Sequence, residues 1–111
     1  MKILNRGFIN VKPTPLFLQW KNEITEEELI EAENQEATMY LIEDDFWEDD
    51  AMIKKYFKKI ASQEFFSVSD NKNHWPEIKD EAHFNHYFTT ECGTFVIDLL
   101  KTPMDGDIID L

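Results

Sequence analysis

Residues 48–65 read Glu-Asp-Asp-Ala-Met-Ile-Lys-Lys-Tyr-Phe-Lys-Lys-Ile-Ala-Ser-Gln-Glu-Phe. Apolar side chains fall at Met52, Ile53, Tyr56, Phe57, Ile60 and Ala61. That spacing follows the 3.6-residue period of an amphipathic helix with one face turned to a core. Glu48, Asp49 and Asp50 occupy its first turn, where the positive end of the helix dipole favours acids. Lys54, Lys55, Lys58 and Lys59 follow on the polar side, and Asp50 precedes Lys54 by four residues, a favourable helical pairing. A long helix with a buried apolar stripe needs a surface to pack against, so the flanking segments decide the fold.

Upstream, residues 3–12 hold Phe8, Ile9 and Val11 among few helix formers and end at Pro13, which reads as a strand. Thr14-Pro15 then gives a helix start, with threonine at the cap and proline at the first position. Leu16, Phe17 and Trp20 are expected on its apolar face. Thr25-Glu26-Glu27-Glu28 offers a capping box for a short second helix carrying Leu29 and Ile30. Thr38-Met39-Tyr40-Leu41-Ile42 is a short strand closed by Glu43-Asp44-Asp45. Downstream, residues 67–77 have loop composition around Pro76, residues 78–89 read as a helix, and Thr94–Leu100 as a strand. That last strand is apolar on both faces, which suggests a central position. The order β-α-α-β-α-α-β defines an α+β domain over residues 1–101, a small three-stranded sheet with about four helices packed on it. Strands joined through helices allow parallel pairing. Residues 102–111 form an acidic C-terminal tail.

The 111 residues suffice for one domain with its own core. Nine Phe, three Trp and three Tyr supply that core with large aromatic groups. Net charge is −12, from 23 acidic against 11 basic residues. That balance argues against binding to nucleic-acid phosphates and to anionic membranes, and it permits basic protein partners or metal ions. Cys92 is the single cysteine, so no internal disulfide forms, which fits a reducing compartment. The opening residues do not read as a signal peptide, and no apolar run reaches the ~20 residues of a membrane span. A cytoplasmic protein is expected.

All three histidines lie within residues 74–88, beside Trp75. On a helical wheel turning ~100° per residue, Phe84, Tyr87 and Phe88 form the apolar face, His83 its edge, and His86 points away. His83 and His86, three apart, make a metal site only if a carboxylate or thiolate joins them, and neither a His-Glu-x-x-His pattern nor a Cys-x-x-Cys pair is present. Cys92 precedes an apolar strand, where a cysteine is usually a small buried hydrophobe. Ser67 and Ser69 lack a nucleophile-elbow pattern. The three glycines build no phosphate cradle, and the stretch around Glu43 lacks the turn glycine of a calcium loop. No cofactor is expected.

The segments Pro15-Leu16-Phe17-Leu18-Gln19-Trp20, Tyr40-Leu41-Ile42, Trp75-Pro76, Phe84 with Tyr87-Phe88, and Val96-Ile97-Asp98-Leu99 occur in an order that is similar to a family of small uncharacterised bacterial proteins. Tyr87 stands where that family's pattern has Trp, and Glu43 where it has Pro. The resemblance spans roughly residues 5–99. It implies a defined fold and a bacterial cytoplasmic setting, and it implies no site.

The expected function is a non-catalytic interaction module. It would bind a basic protein through Glu43, Asp44, Asp45, Asp49 and Asp50 by charge complementarity, with self-association as the other option. The alternative is a small metal-dependent or hydrolytic enzyme using His83, His86 and Cys92. In the tail, Asp105–Leu111 frames apolar residues with acids. It suits addition to a sheet edge of a partner or of a second copy, against the simpler reading of a frayed terminus.

Overall fold

The computed structural model describes residues 1–26 and 35–109. The long helix is α2, Asp49–Phe66, and its buried stripe is Ile53, Phe57, Ile60, Ala61, Glu64 and Phe65. It packs with two other helices, α1 (Pro15–Thr25) and α3 (Glu81–Tyr87), and with strands β1 (Lys2–Leu4), β2 (Gly7–Pro13), β3 (Thr38–Ile42), β4 (Phe88–Gly93) and β5 (Val96–Asp98). One turn of 3₁₀ helix covers Lys72–His74.

The result is a small α+β fold whose strands divide into two sheets. One is three-stranded in the order β3-β2-β4, the other is the ribbon β1-β5. Every strand pairing among the described residues is antiparallel, which replaces the parallel option. The predicted first strand is split in two. Leu4 pairs with Val96 and Phe8 with Gly93, so Asn5, Arg6 and Gly7 oppose only Thr94 and Phe95. One extra residue on one strand kinks an antiparallel ladder in the manner of a β-bulge, and here it separates ribbon from sheet. The central strand is β2, not the last one. Ile97 of β5 is 49% exposed and pairs with Ile3, itself 68% exposed.

The other departures have local causes. The helix expected over 78–89 begins at Asp80, whose Oδ1 accepts from the His83 backbone N–H at 2.8 Å, and stops at Tyr87. Phe88 is already extended, and Thr89 and Thr90 behind it favour a strand. Thr25 ends α1, its hydroxyl donating to the Lys21 carbonyl at 2.8 Å, and the capping box expected from it reaches Glu28, outside the described residues. The helix expected around Leu29 and Ile30 lies outside the described residues. On α1 the buried pair is Phe17 and Leu18, with Leu16 exposed. Trp20 packs partly buried on the core, its indole N–H donating to the His74 carbonyl at 2.8 Å.

In the three-stranded sheet, alternation turns Ile9, Val11, Tyr40, Ile42 and Phe88 toward the helices. Phe65 lies where the helices meet. Its ring touches Phe17, Trp20, Trp75, Tyr87 and Phe88, with centroids 5.0–6.3 Å away. Gly7 sits where backbone segments converge. A Cβ there would meet the carbonyl oxygens of Glu43 and Gly93 at 2.7 and 2.8 Å and the Phe46 ring at 2.9 Å.

Two stability outcomes follow. Phe65→Ala is expected to cost about 3–5 kcal/mol in urea unfolding. Phe66→Ala, next door but 43% exposed, should stay within about 1 kcal/mol; equal losses would refute the helix orientation. Gly7→Ala should cost about 1–3 kcal/mol because two of its obstructions are backbone, whereas Gly106→Ala, with nothing within 4 Å, should leave the urea midpoint unchanged.

Candidate functional site

The segment joining β3 to α2 reads Glu43-Asp44-Asp45-Phe46-Trp47-Glu48 and runs into Asp49 and Asp50 at the helix start. Phe46 turns inward and packs against the core, beside Gly7. Trp47 turns outward and is 99% exposed. Around it Asp44, Asp45, Glu48, Asp49 and Asp50 are all exposed. Four of the five acids named from sequence therefore stand free on one short loop and the helix turn that follows it.

Glu43 is different. Its carboxylate is paired with the Lys55 ammonium and accepts the Tyr56 hydroxyl at 2.6 Å. These bonds, the Lys55 one first, pull its pKa from the ordinary 4.5 down to about 2. Lys55 and Tyr56 are correspondingly raised by Glu43. Glu43 thus anchors the loop to α2 and is not part of the open acidic surface. A second link lies deeper. The Tyr40 hydroxyl donates to Glu64 Oε2 at 2.6 Å, and burial pushes both groups upward in pKa, against the pull of Tyr40 and Thr38 on Glu64.

The residues of the enzymatic alternative are held apart from reactive chemistry. Cys92 lies on β4 opposite Ile9, partly buried. Burial, then the charges of Asp49 and Asp50, push its thiol up to about 11, whereas a nucleophilic cysteine needs a lowered pKa. The His83 and His86 rings stand 6.2 Å apart, edge to face. His83 also leans on Tyr87 at 5.8 Å, and its Nδ1 accepts from the Lys79 backbone N–H at 3.4 Å. Among the described residues no three His, Cys, Asp or Glu side chains gather to hold a metal ion. His74 belongs to the loop that seats Trp75. Its Nδ1 is 3.2 Å from Ser69 Oγ, its Nε2 is 3.3 Å from Asn71 Nδ2, and the Trp75 indole donates to the Ser69 carbonyl at 2.8 Å.

Comparison with family models, with curated proteins and with solved structures yields no match. Among the described residues no helix is long and apolar enough to cross a membrane.

Trp47 is not among the contact residues expected from the sequence. The signal was there: two adjacent aromatics embedded in acids, outside any helical or alternating pattern. Neighbouring side chains in a short loop face different ways, so one of the pair had to be left out of the core.

The Glu43 contact gives a pH prediction. Its pKa is lowered by folding, so its stabilisation is complete above about pH 4.5 and disappears as pH falls through about 2. Urea midpoints of the wild type should therefore fall more steeply across that window than those of Glu43→Gln. Parallel curves would mean that the contact does not form.

Proposed function

We propose that this protein is a non-catalytic binding module whose contact surface is the acidic loop around Trp47, and that its partner is a basic protein. The observation that carries the reading is an indole fully in water on a short loop whose neighbouring residues are exposed acids. A buried aromatic side chain removes about 150–250 Å² from water, worth on the order of 4–6 kcal/mol at about 25 cal/mol per Å². That stabilisation is unused in the isolated fold and is available to an interface. Tryptophan is among the residues that dominate binding energy where they are buried at the centre of a contact. The surrounding acids would steer a basic surface into register, and its Lys or Arg groups would also find the indole face. The family resemblance implies a bacterial cytoplasmic setting for this partner.

The test is affinity capture on the immobilised full chain at low and high salt, followed by titration of the captured protein. A basic partner should be retained at low salt and released at high salt. Trp47→Ala should weaken its binding by about 30-fold or more, the equivalent of about 2 kcal/mol for a dominant contact residue, and leave folding stability within about 0.5 kcal/mol. Binding that ignores salt, or that survives Trp47→Ala unchanged, would sink the proposal.

A further inference from the structure

A groove of about 510 Å³ runs between β3 and α2. Tyr40, Leu41 and Ile42 form its strand wall, and Tyr56, Lys59, Ile60 and Gln63 its helix wall. The helix residues recur at the spacing of one face, so the wall is continuous along the axis. Among the described residues β3 pairs only with β2, which leaves the strand edge beside the groove open. A groove between a strand edge and a helix suits an extended peptide. The strand edge offers main-chain hydrogen bonds and the groove takes side chains.

One residue outside these walls also lines the groove: Ile109, from the C-terminal tail. It is 71% exposed, so it stands at the mouth and does not fill the interior. The tail is matched to this place in charge as well as in apolar character. α2 carries four of the chain's eleven basic residues, Lys54, Lys55, Lys58 and Lys59. Lys59 lies on the groove and holds no ion pair among the described residues. The tail reads Asp105-Gly106-Asp107-Ile108-Ile109-Asp110-Leu111, acids alternating with aliphatic groups.

We propose that the β3–α2 groove is a peptide-binding site and that its resident ligand is the chain's own C-terminal segment around Ile109. The tail enters the groove of the same molecule, Ile109 moving from the mouth onto the apolar walls and Asp107 toward Lys59. A tethered segment meets its site at an effective concentration of order millimolar. Any external peptide of the same chemistry, aliphatic residues flanked by acids, must displace it. Its apparent affinity is lowered by the fraction of grooves already filled. The groove shares Tyr56 with the contact that anchors the acidic loop, but the proposal stands whether or not that loop binds a basic partner.

The probe is a synthetic peptide of residues 104–111, titrated into the isotopically labelled full chain by NMR. Ile109→Asp should shift the amides of Tyr40, Leu41, Tyr56 and Gln63 while leaving Phe84 and Phe88 in place. The peptide should bind that variant roughly tenfold more tightly than the wild type, the gain expected when a tether of millimolar effective concentration is removed. Adding Lys59→Glu to that variant should weaken the peptide again without moving the thermal midpoint. A peptide that perturbs no groove residue in either protein would overturn the proposal, as would equal binding to both. So would contacts between Ile109 and Tyr56 seen only across molecules in a mixed labelled and unlabelled sample, because they would place a second copy in the groove.

Discussion

The Phe65 ring is the point on which the structure depends. It is 2% exposed and is surrounded by Phe17 of α1, Trp20 of α1, Tyr87 of α3, Phe88 of β4 and Trp75 of the loop between α2 and α3. Each of these partners belongs to a different stretch of chain or turns a different face toward the same ring. With Trp20 and Tyr87 the contact is edge-on, and with Phe17 it is nearly parallel. Both are favoured geometries for aromatic quadrupoles. The polar ends of the same residues are satisfied at the rim. The Trp20 indole reaches the His74 carbonyl and the Trp75 indole the Ser69 carbonyl. The loop carrying His74 is held by the aromatic cluster, which is why that histidine serves architecture.

A second set of contacts fixes β3 against α2. Tyr40 and Glu64 meet in the interior, and Glu43 with Lys55 and Tyr56 meets near the surface. The Glu64 and Tyr56 links lie about two turns apart along α2, so β3 is constrained in both position and direction. Removing one partner of the buried pair would leave an unsatisfied polar group, which is the costly case. The consequence for the site is direct. With Glu43 tied down at one end and α2 starting at Asp49 on the other, only a short loop lies between them, and it carries Trp47 with its exposed acids.

The long helix was legible because its period and its charge pattern agree. Apolar residues recur at 3.6, acids stand in the first turn and lysines come later. The start of α1 was legible from Thr14-Pro15 for a similar reason, although the threonine is used differently. Its hydroxyl donates to the His86 carbonyl at 2.6 Å and its backbone N–H to Tyr87 at 2.9 Å, so it ties α1 to the end of α3. The strands were harder. Phe88 continues the apolar face of a helix as well as it begins a strand, and only the two threonines after it separate the readings. A one-residue excess between Leu4 and Phe8 has no composition signature, since it exists only relative to a partner strand ninety residues away in the chain. The acidic cluster was visible from sequence, whereas the distinction between Glu43 and its neighbours required knowing where Lys55 and Tyr56 point.

That distinction bears on how an exposed indole is tolerated. On this loop it is Phe46, beside Gly7, that packs against the core, while Trp47 is left in water. The residue is therefore surplus to folding. Local sequence rules are broken most often where a protein makes contact with something else. Here the break is an apolar side chain placed among charges of one sign. Two copies of this chain meeting loop to loop would bring those charges together, an arrangement that costs free energy. The same carboxylates that oppose self-contact at Trp47 favour a surface of opposite charge. Loop sequence, net charge and the outward indole thus all support the proposed basic partner.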